Sequence, residues 1–161
     1  MAWYAARVFY NRTEPLVNRF KKEGTRYYVP PRELISSLLF VDAEEGYVLQ
    51  LAQEYFGKVM FYGSRESHCP TAIPDREMHV FMIVASSGEG GLLYLGDDKP
   101  EYRQGEHVRV IAGPFKGVEG FVRRIKKDRR VVVSLHGIVA VATTFIHPDL
   151  LERIGENEEN R

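Results

Sequence analysis

Residues 108–122 read VRVIAGPFKGVEGFV, two alternating apolar stretches joined by a loop rich in glycine. Alternation with a period of two predicts a pair of strands. The loop must reverse direction tightly, because glycine adopts left-handed backbone angles at low cost and proline fixes one dihedral. The pattern predicts a strand–loop–strand unit in which the loop approaches the next strand closely. The residues that define this loop are Gly113, Pro114, Phe115, Gly117 and Gly120.

The sequence on both sides of this loop lacks a helical period. Residues 101–154 contain short apolar runs separated by turn signals, and residues 126–130 read as a polar hairpin connection. Short strands at this spacing favour a closed sheet, since closure removes exposed edges. We therefore predict a small five-stranded β-barrel over residues 101–154.

The N-terminal half instead alternates between strand and helix signals. Helices are predicted to begin near Thr13, at Glu45 and at Pro74, and Gly24 is expected to end the first. Strands are predicted over residues 2–10, 26–30, 35–42 and 58–62. The order β-α-β-β-α-β-α is that of a ferredoxin-like split βαβ sandwich. The predicted fold class is α+β, with one such domain followed by a β-barrel.

A segment of small and polar residues, 86–91, separates the two halves. We expect domains over residues 1–86 and 101–154, a connector over 87–100 and a polar tail over 155–161. Residues 92–95 read LLYL, which is too apolar for a free linker. This part of the connector is predicted to dock on one domain as a short strand.

Composition excludes several classes of protein. The chain is 44% hydrophobic and 27% charged, its net charge is zero, and its single cysteine, Cys69, excludes an internal disulfide and paired-cysteine metal sites. No apolar run approaches the ~20 residues that span a bilayer, so we expect a cytoplasmic protein with no membrane partner. Ser67, His68 and Cys69 are adjacent in sequence, whereas a nucleophile and its base meet across a fold. With no phosphate-binding loop either, we predict no enzyme activity and no cofactor.

The glycine pattern resembles a KOW motif, read as Gly105-x-x-Val108-x-Val110-Ile111-x-Gly113-Pro114-Phe115-x-Gly117-x-x-Gly120. This is the strand–loop–strand at the start of an SH3-like barrel in NusG-type transcription factors and some ribosomal proteins. Trp3-Tyr4 resembles the opening of the NusG N-terminal (NGN) domain, and residues 58–63 and 72–78 resemble its last strand and final helix. The details are most similar to UpxY-type antiterminators of surface-polysaccharide operons. Residues 35–38, ISSL, depart from the Phe-Pro-Gly-Tyr turn of housekeeping NusG proteins.

The resemblance implies a transcription elongation or antitermination factor whose NGN domain binds the clamp helices of RNA polymerase through an apolar patch. Carried over by position, that patch comprises Tyr4, Leu38, Phe40, Tyr62 and Met78. The alternative is that these are core residues, because alternate positions of any strand point inward.

Further partners implied are non-template DNA or nascent RNA. Two groups of residues are candidates for these contacts. In the first domain they are Arg12, Gln50, Gln53 and Lys58, and in the second they are Arg123, Arg124, Lys126 and Lys127. Basic side chains add salt-dependent affinity for phosphates. The alternative for both groups is a solvated helix face or hairpin.

The resemblance also implies Rho or a small-subunit ribosomal protein as partner of the KOW barrel. We expect the loop to display Phe115 outward to such a partner. In the competing interpretation Phe115 plugs the end of the barrel. The alternative function is a KOW-type RNA-binding, ribosome-associated structural protein, although that class is usually strongly basic and needs only the barrel.

Overall fold

A computed structural model of the chain describes residues 1–64, 66–135 and 137–154. It is a mixed α/β structure with two antiparallel sheets, and it divides into two compact units. The first unit is Met1–Met78 and the second begins at His79. The tail predicted over 155–161 lies outside the described residues.

The first unit contains a four-stranded sheet of order β2-β3-β1-β4. All neighbouring strands are antiparallel. The strands are β1 (Ala2–Val8), β2 (Arg26–Tyr28), β3 (Leu38–Ala43) and β4 (Val59–Phe61). Helix α1 (Thr13–Glu23) joins β1 to β2, and α2 (Glu45–Glu54) joins β3 to β4. A third helix, α3 (Asp75–Ala85), spans the boundary between the units.

The core of the first unit lies between one face of this sheet and the two crossover helices. Leu16 and Phe20 of α1 are four residues apart and both buried, so they share one helix face. From the sheet, alternate residues of β1 and β3 join the same cluster, including Tyr4, Val8 and Val41. As predicted, α1 ends at Gly24, whose φ of 71° is left-handed and whose N–H donates to the Phe20 carbonyl.

The second unit contains a six-stranded antiparallel sheet of order β10-β6-β7-β8-β9-β5. Its strands are β5 (Leu93–Asp97), β6 (His107–Val110), β7 (Glu119–Ile125), β8 (Asp128–Leu135), β9 (Val139–Phe145) and β10 (Leu151–Arg153). Five of the six strands fall within residues 101–154, where five were predicted. The sixth, β5, comes from the connector.

The connector segment is anchored at both ends of β5. β5 pairs with β9, with a register shift between Tyr94 and Gly96, so the prediction that residues 92–95 dock as a short strand is confirmed. Before the strand, the buried guanidinium of Arg130 donates to the Gly91 carbonyl at 2.7 Å. After it, the buried carboxylate of Asp98 accepts from the Gly137 N–H at 2.9 Å and pairs with Arg103. Buried charges need such partners, so these contacts fix the connector to the sheet.

Candidate functional site

The glycine-rich loop between β6 and β7 folds back onto the strand it leaves. Gly113 and Gly117 have φ of 88° and 92°, the left-handed angles that their spacing predicted. The Gly117 N–H donates to the Val110 carbonyl at 2.8 Å, and the Val110 N–H donates to the Val118 carbonyl at 2.9 Å. The tight reversal predicted from the sequence is therefore present.

Gly120 is required for a different reason. It lies in β7 opposite Val108, with no left-handed backbone angle. A Cβ atom at this position would lie 2.3 Å from the Val132 carbonyl oxygen and 2.8 Å from the Val131 Cγ1. Gly120 thus permits the close approach of β7 to β8, which any side chain would block.

The ring of Phe115 is buried, with only 4% of the residue exposed. The prediction that this loop displays the ring outward is wrong. The Lys116 N–H donates to the Gly113 carbonyl and the Val118 N–H to the Phe115 carbonyl, so successive turns curl the chain around this residue. Burying a large ring also stabilises so small a unit, which favours the plug interpretation. Pro114 remains exposed at the loop surface.

The four basic candidates of the second unit fall into two groups. Arg123 is partly buried and held by the turn Pro100–Arg103: it donates to the Glu101 carbonyl at 3.0 Å and lies over the Tyr102 ring at 5.4 Å. It therefore has a structural role. Arg124, Lys126 and Lys127 are exposed at the tip of the β7–β8 hairpin.

The apolar candidates of the first unit do not share one surface. Tyr4 belongs to the core between the sheet and the crossover helices, and this burial, followed by the nearby carboxylates Glu45 and Glu44, raises the pKa of its hydroxyl. Leu38 and Phe40 alternate with the core residues Leu39 and Val41, so they belong to the opposite face of the sheet.

Four of these five candidates are buried: Tyr4, Leu38, Phe40 and Met78. Their burial agrees with the core alternative, and it holds on both faces of the sheet, with Tyr4 on one face and Leu38 and Phe40 on the other. Tyr62, which follows β4, is the one apolar candidate that stays partly exposed.

Phe9 and Met60 are among the exposed apolar residues that were missed in the sequence, with 38% and 47% of their surface accessible. Met60 lies on β4, an edge strand, between the core-facing residues Val59 and Phe61. The Phe9 N–H donates to the Lys58 carbonyl at 2.7 Å, which joins this residue to the start of β4. The stretch VMFY is apolar throughout, so its alternation could not be seen in the sequence. We call Phe9, Met60 and Tyr62 the β4 edge.

The polar candidates of the first unit, Arg12, Gln50, Gln53 and Lys58, are all exposed. Gln50 and Gln53 lie on α2, and the Gln50 amide donates to Glu54 at 3.0 Å. The bond between Phe9 and Lys58 brings the loop that carries Arg12 next to the loop that carries Lys58.

An ion-pair network joins α1 to α2 near these residues. The Arg19 guanidinium contacts Glu23 at 3.0 Å and Glu54 at 2.5 Å, and the Tyr47 hydroxyl donates to Glu23 at 2.5 Å. The Tyr47 hydrogen bond lowers the pKa of Glu23 below its ordinary 4.5, and the Arg19 hydrogen bond does the same for Glu54. The hydrogen bond to Glu54 is the largest of the contacts that raise the pKa of the Arg19 guanidinium above its ordinary value.

The network predicts a pH dependence of stability. Because folding lowers the pKa of both carboxyls, their contribution is fully present above about pH 4.5 and is lost as the pH falls through the lowered values. Urea unfolding of the wild type and of Glu54→Gln between pH 7 and pH 3 measures how much free energy of unfolding each protein loses on acidification. We expect the variant to lose less free energy of unfolding than the wild type across the acid limb. Equal losses would contradict the assignment.

The described part of the chain has neither a candidate metal cluster nor a membrane-spanning helix. Over residues 1–64, 66–135 and 137–154, no group of three or more histidine, cysteine or acidic residues could hold a metal ion. Over the same residues, no helix has the length and apolar character needed to cross a membrane.

Comparison with known proteins identifies one motif. Residues 104–134 match the sequence model of the KOW motif, which covers β6, the glycine loop, β7 and most of β8. No curated protein sequence matches the chain significantly. Among solved structures, NusG of Thermotoga maritima, described for its domain interaction, is 19% identical over 96% of this chain and 97% of that one, with a TM-score of 0.49. A chain of the MjSpt4:Spt5 complex is 18% identical over 97% and 99%, with a TM-score of 0.36.

Proposed function

We propose that this protein is a NusG-type transcription elongation factor of the specialised, antiterminating kind, in which residues 1–86 form an NGN domain and residues 101–154 a KOW SH3-like barrel. The observation that carries the proposal is the KOW motif at residues 104–134, preceded in the same chain by a separate four-stranded α/β unit. The motif supplies the barrel of such a factor, and the first unit supplies a second binding module.

The connectivity of the first unit supports the NGN assignment. The order β1-α1-β2-β3-α2-β4 with spatial order β2-β3-β1-β4 is what a split βαβ sandwich requires. The Trp3-Tyr4 opening falls in β1, which is followed by α1, and this order supports the resemblance to NGN domains. The fold alone does not assign a function, since one fold hosts many activities, so a binding surface for the polymerase must be identified.

The surface that fits RNA polymerase best is the β4 edge, together with Arg12 and Lys58 nearby. Exposed aromatic and methionine side chains are typical anchors for a helical partner such as the clamp helices. The buried candidates Leu38 and Phe40 then support this surface from within the sheet. Non-template DNA or nascent RNA would contact Gln50 and Gln53 on α2. Rho or a ribosomal protein would bind the KOW barrel.

Met60→Asp tests the polymerase surface. The substitution puts a charge on an exposed edge residue, so the fold should survive, but burial of an unpaired carboxylate in the complex should weaken binding at least about tenfold. Leu49→Asp is the matched control, since Leu49 on α2 is similarly exposed at 43%. Affinity for purified RNA polymerase is measured by fluorescence anisotropy for the wild type and both variants. Equal losses in both, or no loss in either, would refute the β4 edge.

The second candidate function, a ribosome-associated structural protein, is favoured by the KOW motif alone. It predicts binding to ribosomal RNA and no affinity of the wild-type chain for polymerase in the same experiment. If polymerase binds, antitermination on surface-polysaccharide operons is tested by transcription with purified components on templates with and without candidate leader sequences. Read-through that requires both the protein and a leader is the expected result.

A further inference from the structure

We propose that a pocket beside the N-terminal end of α1 binds a small zwitterionic ligand with an apolar body, the chemical class of apolar dipeptides. The pocket has a volume of about 540 Å³, and every residue that lines it belongs to the first unit. Sites for small molecules are usually clefts of roughly 300–1,000 Å³ with mostly apolar walls and a few polar groups. The inference does not depend on the proposed polymerase contact.

The floor of the pocket is apolar because it continues the core of the first unit. Val17 of α1, Tyr27 of β2 and the following Val29 line the pocket and also pack against the core cluster. Val8 and Ile35 add two buried residues to this surface. The apolar part of a ligand would be removed from water here, and the free energy gained grows with the area that is buried.

Hydrogen bonds of the backbone fix the walls of the pocket. On one side, the N–H groups of Leu34 and Ile35 both donate to the Pro31 carbonyl at 3.0 Å and close the turn over residues 31–35. On the side of β1, the Val8 N–H donates to the Ser37 carbonyl at 2.8 Å. A pre-formed pocket loses little conformational entropy on binding, so a small ligand can be held by it.

The rim of the pocket carries one cation and one anion, which come from different elements. Arg32 belongs to the turn over residues 31–35 and Glu14 to the first turn of α1, and both are exposed. Within residues 1–64, 66–135 and 137–154, neither side chain has an ion-pair or hydrogen-bond partner. Arg19, on the same helix as Glu14, is instead paired with two carboxylates. The two rim charges are therefore available to a ligand.

Uncharged polar side chains complete the rim: Asn11, Thr13 and Ser37. Asn11 and Ser37 have φ of 56° and 65°, which is uncommon for residues with a Cβ atom. Such conformations persist where the surrounding structure fixes them, and they cluster at sites that hold ligands. The amide and the hydroxyl groups offer both donors and acceptors, as a peptide group in the ligand requires.

The ligand class follows from this arrangement. An apolar anion would bring a like charge towards Glu14, and an apolar cation would do the same at Arg32. A zwitterion complements both charges, and its apolar side chains fit the floor. Apolar dipeptides combine an ammonium group, a carboxylate, a peptide group and two apolar side chains. We therefore assign this class, and a singly charged apolar molecule is the competing outcome of the test.

The measurement uses the full chain and isothermal titration calorimetry with leucylphenylalanine as the probe. Its N-acetyl derivative lacks the cation, and its C-terminal amide lacks the anion. We expect saturable binding of the free dipeptide and binding about fivefold weaker for each blocked derivative, because an exposed ion pair contributes up to about this factor.

Two variants assign each charge of the ligand to one side chain. Glu14→Gln should abolish the preference for the free amino group over the acetylated one and leave the preference for the carboxylate. Arg32→Gln should do the reverse. The matched controls are Glu33→Gln and Lys22→Gln, which remove exposed charges outside the pocket and should bind like the wild type. A general loss of structure would remove both preferences together, so this pattern distinguishes contact from folding.

Amide NMR spectra recorded during the titration locate the ligand, because the signals of Val17, Tyr27 and Val29 should shift. Three results would overturn the proposal. The dipeptide could show no saturable binding, the shifts could be confined to residues outside the pocket, or the blocked derivatives could bind the wild type as tightly as the free dipeptide. Met60→Asp should keep dipeptide binding, so this proposal and the proposed polymerase surface can fail separately.

Discussion

Phe115→Ala is expected to unfold the second unit at temperatures where the wild type is folded. Phe115 is 4% exposed and hydrogen bonds fix the backbone of its loop, so truncation of the buried ring is expected to leave a cavity. Substitutions of this kind cost about 3–5 kcal/mol of unfolding free energy. A unit of this size has little more than that to lose.

Amide NMR spectra of the full-length variant measure this directly, because resonances of residues 93–153 should collapse while those of the first unit persist. Phe145→Ala is the matched control, since Phe145 is 53% exposed in β9 of the same sheet. The control should keep the wild-type spectrum. If the two variants gave the same folded spectrum and Phe115→Ala lost a barrel partner, the display interpretation would be restored.

Gly120→Ala should be nearly as damaging, although it adds a single methyl group. The new Cβ would lie 2.3 Å from the Val132 carbonyl oxygen, a backbone atom of the residue that pairs with the neighbouring Phe121. Relief requires the two strands to separate, so we expect a loss of about 3 kcal/mol in the free energy of unfolding.

Gly90→Ala is the control for this change. Neither glycine has a left-handed φ, and a Cβ at Gly90 has no atom within 4 Å. Urea unfolding followed by the NMR signals of the second unit should therefore show a large shift for Gly120→Ala and almost none for Gly90→Ala. Equal shifts would mean that loss of glycine flexibility, rather than the approach of β7 to β8, decides stability.

Helices and turns of this protein could be predicted because their signals are local. The spacing of Leu16 and Phe20 and the stop at Gly24 fix α1 from neighbouring residues alone. The third strand was predicted to begin at residue 35 but begins at Leu38, because Ser37 has a left-handed φ of 65° and cannot continue a strand. A single residue's dihedral is not visible in a hydrophobic pattern.

The candidate site was less predictable because exposure depends on tertiary neighbours. Phe115 follows a proline at a loop centre, which is compatible with display or burial, and only the closure of the loop on β6 decides between them. Similarly, Tyr4 and Phe40 both occur in apolar strands, and sheet register alone assigns them to opposite faces. Met60 is exposed because β4 is an edge strand, a property of strand order.

The docked connector also bears on aggregation. Strands β8 and β9 contain the runs VVV and VAVA, β-prone segments that would template other chains if an edge of β9 were open. β5 covers that edge, and it is a poor template itself, being five residues long, irregular at Gly96 and ended by Asp97. At the opposite edge, β10 has three residues, two of them the charged Glu152 and Arg153. Breaking the contacts of Gly91 with Arg130 and of Asp98 with Gly137 would therefore turn a protected sheet into one prone to self-association.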